Sequence, residues 1–354
     1  MTPVAASPAV PAISTPWLDV LAVGALSLVV LVPLLVVGDS TSGWHNATLV
    51  FALNGLINFP HFMASYRLVY RSRATILRYR NATLVVPAVL LLWSVAALAA
   101  AESDGLYVHL LVCAAGLYTG IHYTGQAWGM MAAFGALDGL RFEDRERRLV
   151  RFGLHALAFW QASRFMLGTG QPPEQTRPFF ETLHQLAGYS IPIAFAISAA
   201  GVVLFARRIG RIPPARVLLP WISIFMWSAV FASHPLGIFW VQIAHAVQYM
   251  IFPARMELNR STAGTPAKRA GHMVLWYVLL VGAGYFVFNV LVSLLAQPIE
   301  RFSALGAEPE AVRLLPFVVT AFVNIHHYFT DGCIWKMRDP EVRKDLFAHL
   351  RRPT

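Results

Sequence analysis

Long apolar runs alternate with short basic connections along the whole chain. Ten runs stand out, at roughly 16–37, 48–69, 82–101, 105–136, 151–169, 187–206, 217–233, 236–254, 272–296 and 311–329. Most approach the roughly 20 residues that carry a helix across a hydrocarbon core about 30 Å thick. The pattern predicts an all-α fold: a polytopic integral membrane helical bundle of about ten transmembrane helices. The fourth run is too long for one straight crossing, so it should tilt, kink or extend beyond the membrane. The eighth is short, and the connection through Ser233, His234 and Pro235 leaves a re-entrant or broken element open.

Composition agrees with this reading. Hydrophobic residues make up 57% of the chain and charged residues 13%, too little charge to coat a soluble protein of 354 residues. Charge then gives the map an orientation. The connections after the second, fourth, sixth and eighth runs, with the C-terminal tail, hold 24 of the 28 Lys and Arg; Arg164, Arg177, Arg301 and Arg313 are the exceptions. That alternation follows the positive-inside rule and puts both termini in the cytoplasm, in a bacterial inner or plasma membrane. The formal charge of +10 therefore points to anionic lipid headgroups, not nucleic acid. Residues 1–15 read as a flexible cytoplasmic tail, 16–335 as one membrane domain and 336–354 as a short cytoplasmic segment. In that segment Asp339 and Pro340 should start a helix as N-cap and first residue. The stretch 256–270 reads as a flexible basic loop. Cys113 and Cys333 suit packing and provide no disulfide framework.

The histidines carry the candidate chemistry. His61, His122, His245, His326 and His327 come from four separate runs, at a similar depth in the cytoplasmic half of the membrane. Ionisable side chains at such depth are costly and mark functional sites. Neutral imidazole offers a lone pair without adding charge, and it suits iron, copper and zinc. Asp331 follows His327 by four residues, on the same helical face, and supplies a negative charge for a cation. Gly332 beyond it would permit a helix exit. His326 points about 100° away from His327, as a second ligand or a support. Gln126, four residues after His122, would orient a ligand, hold water or bridge helices. Pro60 frees a backbone carbonyl and makes room for His61. His155 and His234 stay undecided; His45, His109, His184, His272 and His349 look peripheral. HExxH, GxSxG, a Walker loop and CxxCH are absent.

Pro60-His61 and the scattered helical histidines resemble the integral membrane histidine-rich metal oxygenases, and within them the Brp/Blh-type carotenoid-cleaving dioxygenases. Phe62 follows His61, so the fuller PHGxxD motif is not present, nor are the HxxHH boxes of acyl desaturases. The resemblance implies a histidine-dominated iron site for oxygen chemistry inside a membrane bundle.

The sequence thus suggests a metal-dependent membrane oxidoreductase of oxygenase, hydroxylase or desaturase type, acting on a hydrophobic or amphipathic substrate. His61, His122, His245, His326, His327 and Asp331 are the candidate ligands, and His327, Asp331 and Gln126 the candidate catalytic groups. One or two transition metal ions are expected, iron ahead of copper or zinc, with dioxygen, an electron donor and membrane lipids as partners. A histidine-lined transporter or channel and a haem-binding electron-transfer protein are the alternatives.

Overall fold

The computed structural model describes residues 11–37, 47–101, 105–168, 174–234, 236–261, 264–302, 309–336 and 339–351. Among them the secondary structure is all helical, with no strand. We number the helices α1 (16–37), α2 (47–69), α3 (Arg73–Arg78), α4 (81–99), α5 (Leu106–Leu137), α6 (Asp144–Gly168), α7 (Arg177–Ile209), α8 (Ala215–Ser233), α9 (Gly237–Arg260), α10 (266–302), α11 (Glu310–Ile334) and α12 (Pro340–Leu346). The ten long helices coincide with the ten apolar runs. Seven, α1, α2, α4, α5, α7, α8 and α10, are long and apolar enough to cross a membrane. The three that fall short are α6, which is charged at its start, and α9 and α11, which carry polar groups into the bundle.

Polarity runs inside out. Leu92 on α4, Ile193 on α7 and Val274 on α10 are 72%, 64% and 64% exposed, whereas Asn54, Gln161, Ser198, Ser223, His245, Gln248 and Thr330 are buried. Several interior polar groups bond across helices. Gln161 donates to Ser228 Oγ at 2.9 Å, and Trp221 Nε1 donates to Ser198 Oγ at 2.8 Å. Where α6 meets α7 the backbones touch, because a Cβ at Gly153 would strike the Ala194 carbonyl and Ser198; small residues allow such approach.

The bundle centre lies where α11 packs against α2, α4 and α5, with α9 alongside α2. Helix α2 is widened there. A π-type turn over Asn54–Asn58 precedes Phe59-Pro60-His61. Pro60 has no N–H to give to the Leu56 carbonyl, which accepts instead from Tyr277 Oη at 2.6 Å, and His61 Nδ1 lies 2.6 Å from the Asn58 carbonyl.

The N-terminal end is more ordered than the sequence suggests. Residues 1–10 lie outside the described residues, but Ala12 and Ile13 are buried. Asp19 accepts from Ile13 N at 2.8 Å and Ser14 N at 2.9 Å, and Arg216 donates to the Pro11 carbonyl at 2.6 Å. Positions 11–15 are therefore a tied-down strap instead of a loose tail. The basic stretch 256–270 is also mostly helical, since α9 runs to Arg260 and α10 begins at Pro266. Asp339 caps α12 as expected, accepting from Glu341 N at 3.0 Å. His349 Nε2 lies 2.8 Å from the Ala12 carbonyl, so the two ends of the described chain meet on one face. After α8, His234 is extended and α9 starts at Gly237, so the eighth element is a continuous helix of 24 residues; Pro235 lies outside the described residues.

Helix α12 is clasped to the bundle. Asp345 pairs with Arg71 at 3.2 Å and with Arg260, and Asn259 donates to the carbonyls of Asp345 and Leu346 at 2.8 and 3.0 Å. Burial pushes the Asp345 carboxyl up, but Arg260 and Arg71 more than offset this and hold it below the usual range. The clasp should be complete above the ordinary aspartate value of about 3.9 and released as pH falls further. Asp345→Asn should loosen α12 at neutral pH by about 0.2–1 kcal/mol, read as faster backbone hydrogen exchange over 339–351 and unchanged exchange in α5.

Candidate metal centre

Four imidazoles from four helices converge at the centre: His61 of α2, His122 of α5, His245 of α9 and His327 of α11. His61 Nε2 is 3.1 Å from His327 Nε2, and His122 Nε2 is 3.2 Å from His245 Nε2. Asp331 Oδ2 is 3.3 Å from His327 Nε2 and 3.8 Å from His122 Nε2. Two triads each have ligand atoms within 4.8 Å of one another: His61, His245 and His327, and His122, His327 and Asp331. Both use His327, and one nitrogen lone pair serves one ion, so the triads are overlapping halves of one centre.

The spacing matches a coordination shell. With metal–nitrogen bonds of 2.0–2.1 Å, neighbouring ligands lie about 2.9 Å apart at right angles and about 3.4 Å apart at tetrahedral angles. Three of the four close contacts fall in that interval. The donors are imidazole and carboxylate, a set that suits iron, copper or zinc.

The charges make the same case. Four carboxylates are buried among the described residues: Asp19, Glu146, Glu257 and Asp331. Asp19 faces Arg216 at 3.9 Å, Glu146 faces Arg208 at 2.7 Å and Glu257 faces Arg67 at 2.8 Å. Among the described residues, the ion-pair partners in reach of Asp331 are the imidazoles of His122 and His327, with no arginine or lysine beside it. A buried carboxylate without a counter-charge costs several kcal/mol, and Asp331 Oδ2 has no hydrogen-bond partner. A cation held by the four Nε2 atoms would satisfy that oxygen and the imidazole lone pairs together.

The other oxygen of Asp331 is fixed. Oδ1 accepts from Ser65 Oγ at 2.8 Å and from Tyr249 at 3.1 Å, and Tyr249 accepts from Trp335 Nε1 at 3.0 Å. This chain of donors aims Oδ2 at the histidines. His61 is oriented by the Asn58 carbonyl. Tyr328 stacks on His122 with centroids 4.4 Å apart, and Tyr123 on His245 at 4.2 Å. Gln126 donates to the His245 carbonyl at 3.3 Å and to Gln248 Oε1 at 3.0 Å, and Gln248 donates to the Val23 carbonyl at 2.6 Å. Nδ1 of both His245 and His327 is buried without a partner, so those two rings are held by packing.

Beside the centre lies a cavity of ≈ 580 Å³ between α5 and α11. His122, Gln126, Tyr249 and Asp331 form its polar wall, and Tyr118, Ile121, Phe252 and Phe329 are among its apolar lining. Gly332, expected at the helix exit, instead lies inside α11 and faces this cavity.

One expected ligand falls elsewhere. His326 turns to the other side of α11, where its Nε2 lies 3.0 Å from the Ala82 carbonyl and 3.2 Å from Tyr70 Oη, and its ring stacks on Tyr66. Adjacent helical residues point about 100° apart, and that rotation carries His326 into the α2–α4 seam. His155 is exposed and belongs to neither triad, and His234 belongs to neither. The peripheral histidines have partners of their own: His184 with Ser163, His272 with Glu257 and His349 with Ala12; His45 lies outside the described residues. Ser65, which holds Asp331 Oδ1, is a residue of this centre that sequence reading missed, since one serine in a span looks like any interhelix hydrogen bond.

No family model, curated protein or solved structure matches the chain.

The centre should take up one ion per chain, read by elemental analysis after mild purification and reloading. His245→Ala and His327→Ala should abolish that uptake, while His326→Gln should retain it. Ser65→Ala, or Tyr249→Phe, should weaken metal affinity by about 10–100-fold without changing stoichiometry at saturation. Equal loss in the His326 variant would contradict the assignment.

Proposed function

We propose that this chain is an integral membrane, metal-dependent oxidoreductase that acts on a hydrophobic or amphipathic substrate. One observation carries the reading: four histidine Nε2 atoms and a fixed carboxylate converge beside a largely apolar cleft, with His122 and Asp331 in its wall. An apolar substrate presents C–H and C=C bonds, and redox chemistry is what alters those. A bound iron ion would supply dioxygen activation of the oxygenase, hydroxylase or desaturase kind.

The protein's own residues have definable tasks. His61, His122, His245 and His327 would hold the ion. Asp331 would balance its charge, with Ser65 and Tyr249 holding its orientation. Gln126 stands in the cavity wall beside His122, where its amide fixes the α9 backbone at His245. The apolar lining would exclude water from the reacting region.

Membrane integration is supported by the apolar exterior, the buried polar interior and the alternation of cationic connections. The contact between Ala12 and His349 agrees with both termini lying on one side. The transporter reading fits less well, because the polar groups converge on a buried point instead of lining a route. Haem fits poorly as well: two axial nitrogens stand about 4 Å apart across an iron, whereas the facing Nε2 pairs here are 3.1 and 3.2 Å apart.

The test is dioxygen uptake by iron-loaded protein in lipid nanodiscs, supplied with a reductant and a total membrane lipid extract. Uptake should depend on iron and be lost in His327→Ala, which removes a ligand shared by both triads. Tight zinc retention with no iron-dependent uptake would overturn the reading. In cells the chain should resist alkaline extraction from membranes, and cysteines placed in the 141–148 and 207–211 connections should react from the cytoplasmic side alone.

A further inference from the structure

The cleft says more about its ligand than that it is apolar. Helix α5 contributes one stripe, Tyr118, Ile121, Gly125, Gly129 and Ala133, that spans about 22 Å of axis at 1.5 Å per residue. Its glycines fall into two kinds. A Cβ at Gly116 or Gly120 would collide with Phe165 or with the Ala158 carbonyl, so those two serve helix packing. A Cβ at Gly125 or Gly129 would meet nothing within 4 Å, and the same holds for Gly332 across the cleft on α11. Glycine in a helix interior costs about 1 kcal/mol relative to alanine, and here no packing contact offsets it. What these three positions provide is open space beside Asp331, whose buried Oδ2 lacks a partner.

We infer that the cleft binds a single-chain amphiphile with a carboxylate end, its tail lying along the Gly125–Gly129 stripe and its head at Lys336. At about 30 Å³ per water-sized unit, the ≈ 580 Å³ cavity holds about twenty non-hydrogen atoms. That matches one long chain. Lys336 is the one cation among the lining residues, and it is exposed at the end of the cleft just past α11. A single ammonium complements a carboxylate. Lys336 lies five residues beyond Asp331, so the head sits about 7–8 Å along the axis from that carboxylate. The centre therefore faces the body of the chain, not its charged end. The inference rests on the proposed substrate cleft beside the metal centre, but it concerns binding and is separable from metal uptake.

The test uses the full chain in phosphatidylcholine nanodiscs, photolysed with a long-chain fatty acid that carries a mid-chain diazirine. Labelled peptides are mapped, and metal content is measured on the same samples. Label should concentrate in 118–133 and 328–336 and be displaced by excess oleate but not by oleyl alcohol. Gly129→Leu or Gly125→Leu should cut labelling by about tenfold, and Lys336→Gln by about fivefold, with metal content unchanged. Labelling spread evenly over the apolar exterior, equal competition by oleyl alcohol or phosphatidic acid, or indifference to Lys336→Gln would overturn the inference. Metal uptake without selective labelling refutes the carboxylate ligand alone. Selective labelling without metal uptake refutes the metal centre and leaves the ligand standing. The competitor arms and Lys336→Gln decide the matter even if both leucine variants misfold.

Discussion

The arrangement depends on the charge of one buried carboxylate. The other three buried acids each face an arginine near a helix end, where water and other polar groups are close. Asp331 is placed beside the imidazoles of His122 and His327, and an interior of low dielectric does not hold a bare anion cheaply. Much of the surrounding detail makes sense as a response. Ser65 and Tyr249 fix one oxygen and leave the other pointing at nitrogen lone pairs. The π-type turn in α2 brings His61 into range and supplies the carbonyl that sets its tautomer. The polar content of α9 and α11, which makes them the least membrane-like of the site helices, is the same content that builds the centre.

That demand shapes the packing around it. Helices α5 and α11 must approach closely enough for His122 and Asp331 to meet, yet they part to leave the cleft. On α5 this division can be read one turn at a time. Gly116 and Gly120 draw it against α6, and Gly125 and Gly129 open the other face. Gln126 lies between these two requirements, because its amide ties α5 to the His245 backbone while its side chain borders the cleft. Through Gln248 the same amide chain reaches the Val23 carbonyl, so α1 also helps to fix the depth of His245.

Much of this could be read from residues alone, for a physical reason. Apolar runs of membrane length leave few alternatives, and the helices follow them closely. The convergence of His61, His122, His245, His327 and Asp331 was legible because buried polar groups are rare in such a chain and their depths agreed. Depth is only one coordinate, however. Rotation about the helix axis is fixed by packing against neighbours, so His326 passes the depth test and still faces the wrong seam. Ser65 was hidden because its importance comes from Asp331, 266 positions away. The strap at 11–15 was hidden as well: its partner Arg216 lies 205 positions from Pro11, and a weakly polar, proline-rich segment reads as tail.

The place of His326 also bears on how many ions the bundle holds. Two ions need two independent sets of donors, and the double histidine in the sequence leaves room for that. With His326 bound to the Ala82 carbonyl, the donors near the centre reduce to four imidazoles and one free carboxylate oxygen, and both triads draw on His327. A second cation within a few ångströms would find no negative charge of its own to offset it, since among the described residues Asp331 is the one carboxylate grouped with these histidines. Mutual repulsion in a dry interior would then exceed what neutral imidazoles return. The donor set, four imidazoles and one carboxylate oxygen, therefore suits a single transition metal ion, with Asp331 and His122 between that ion and the cleft.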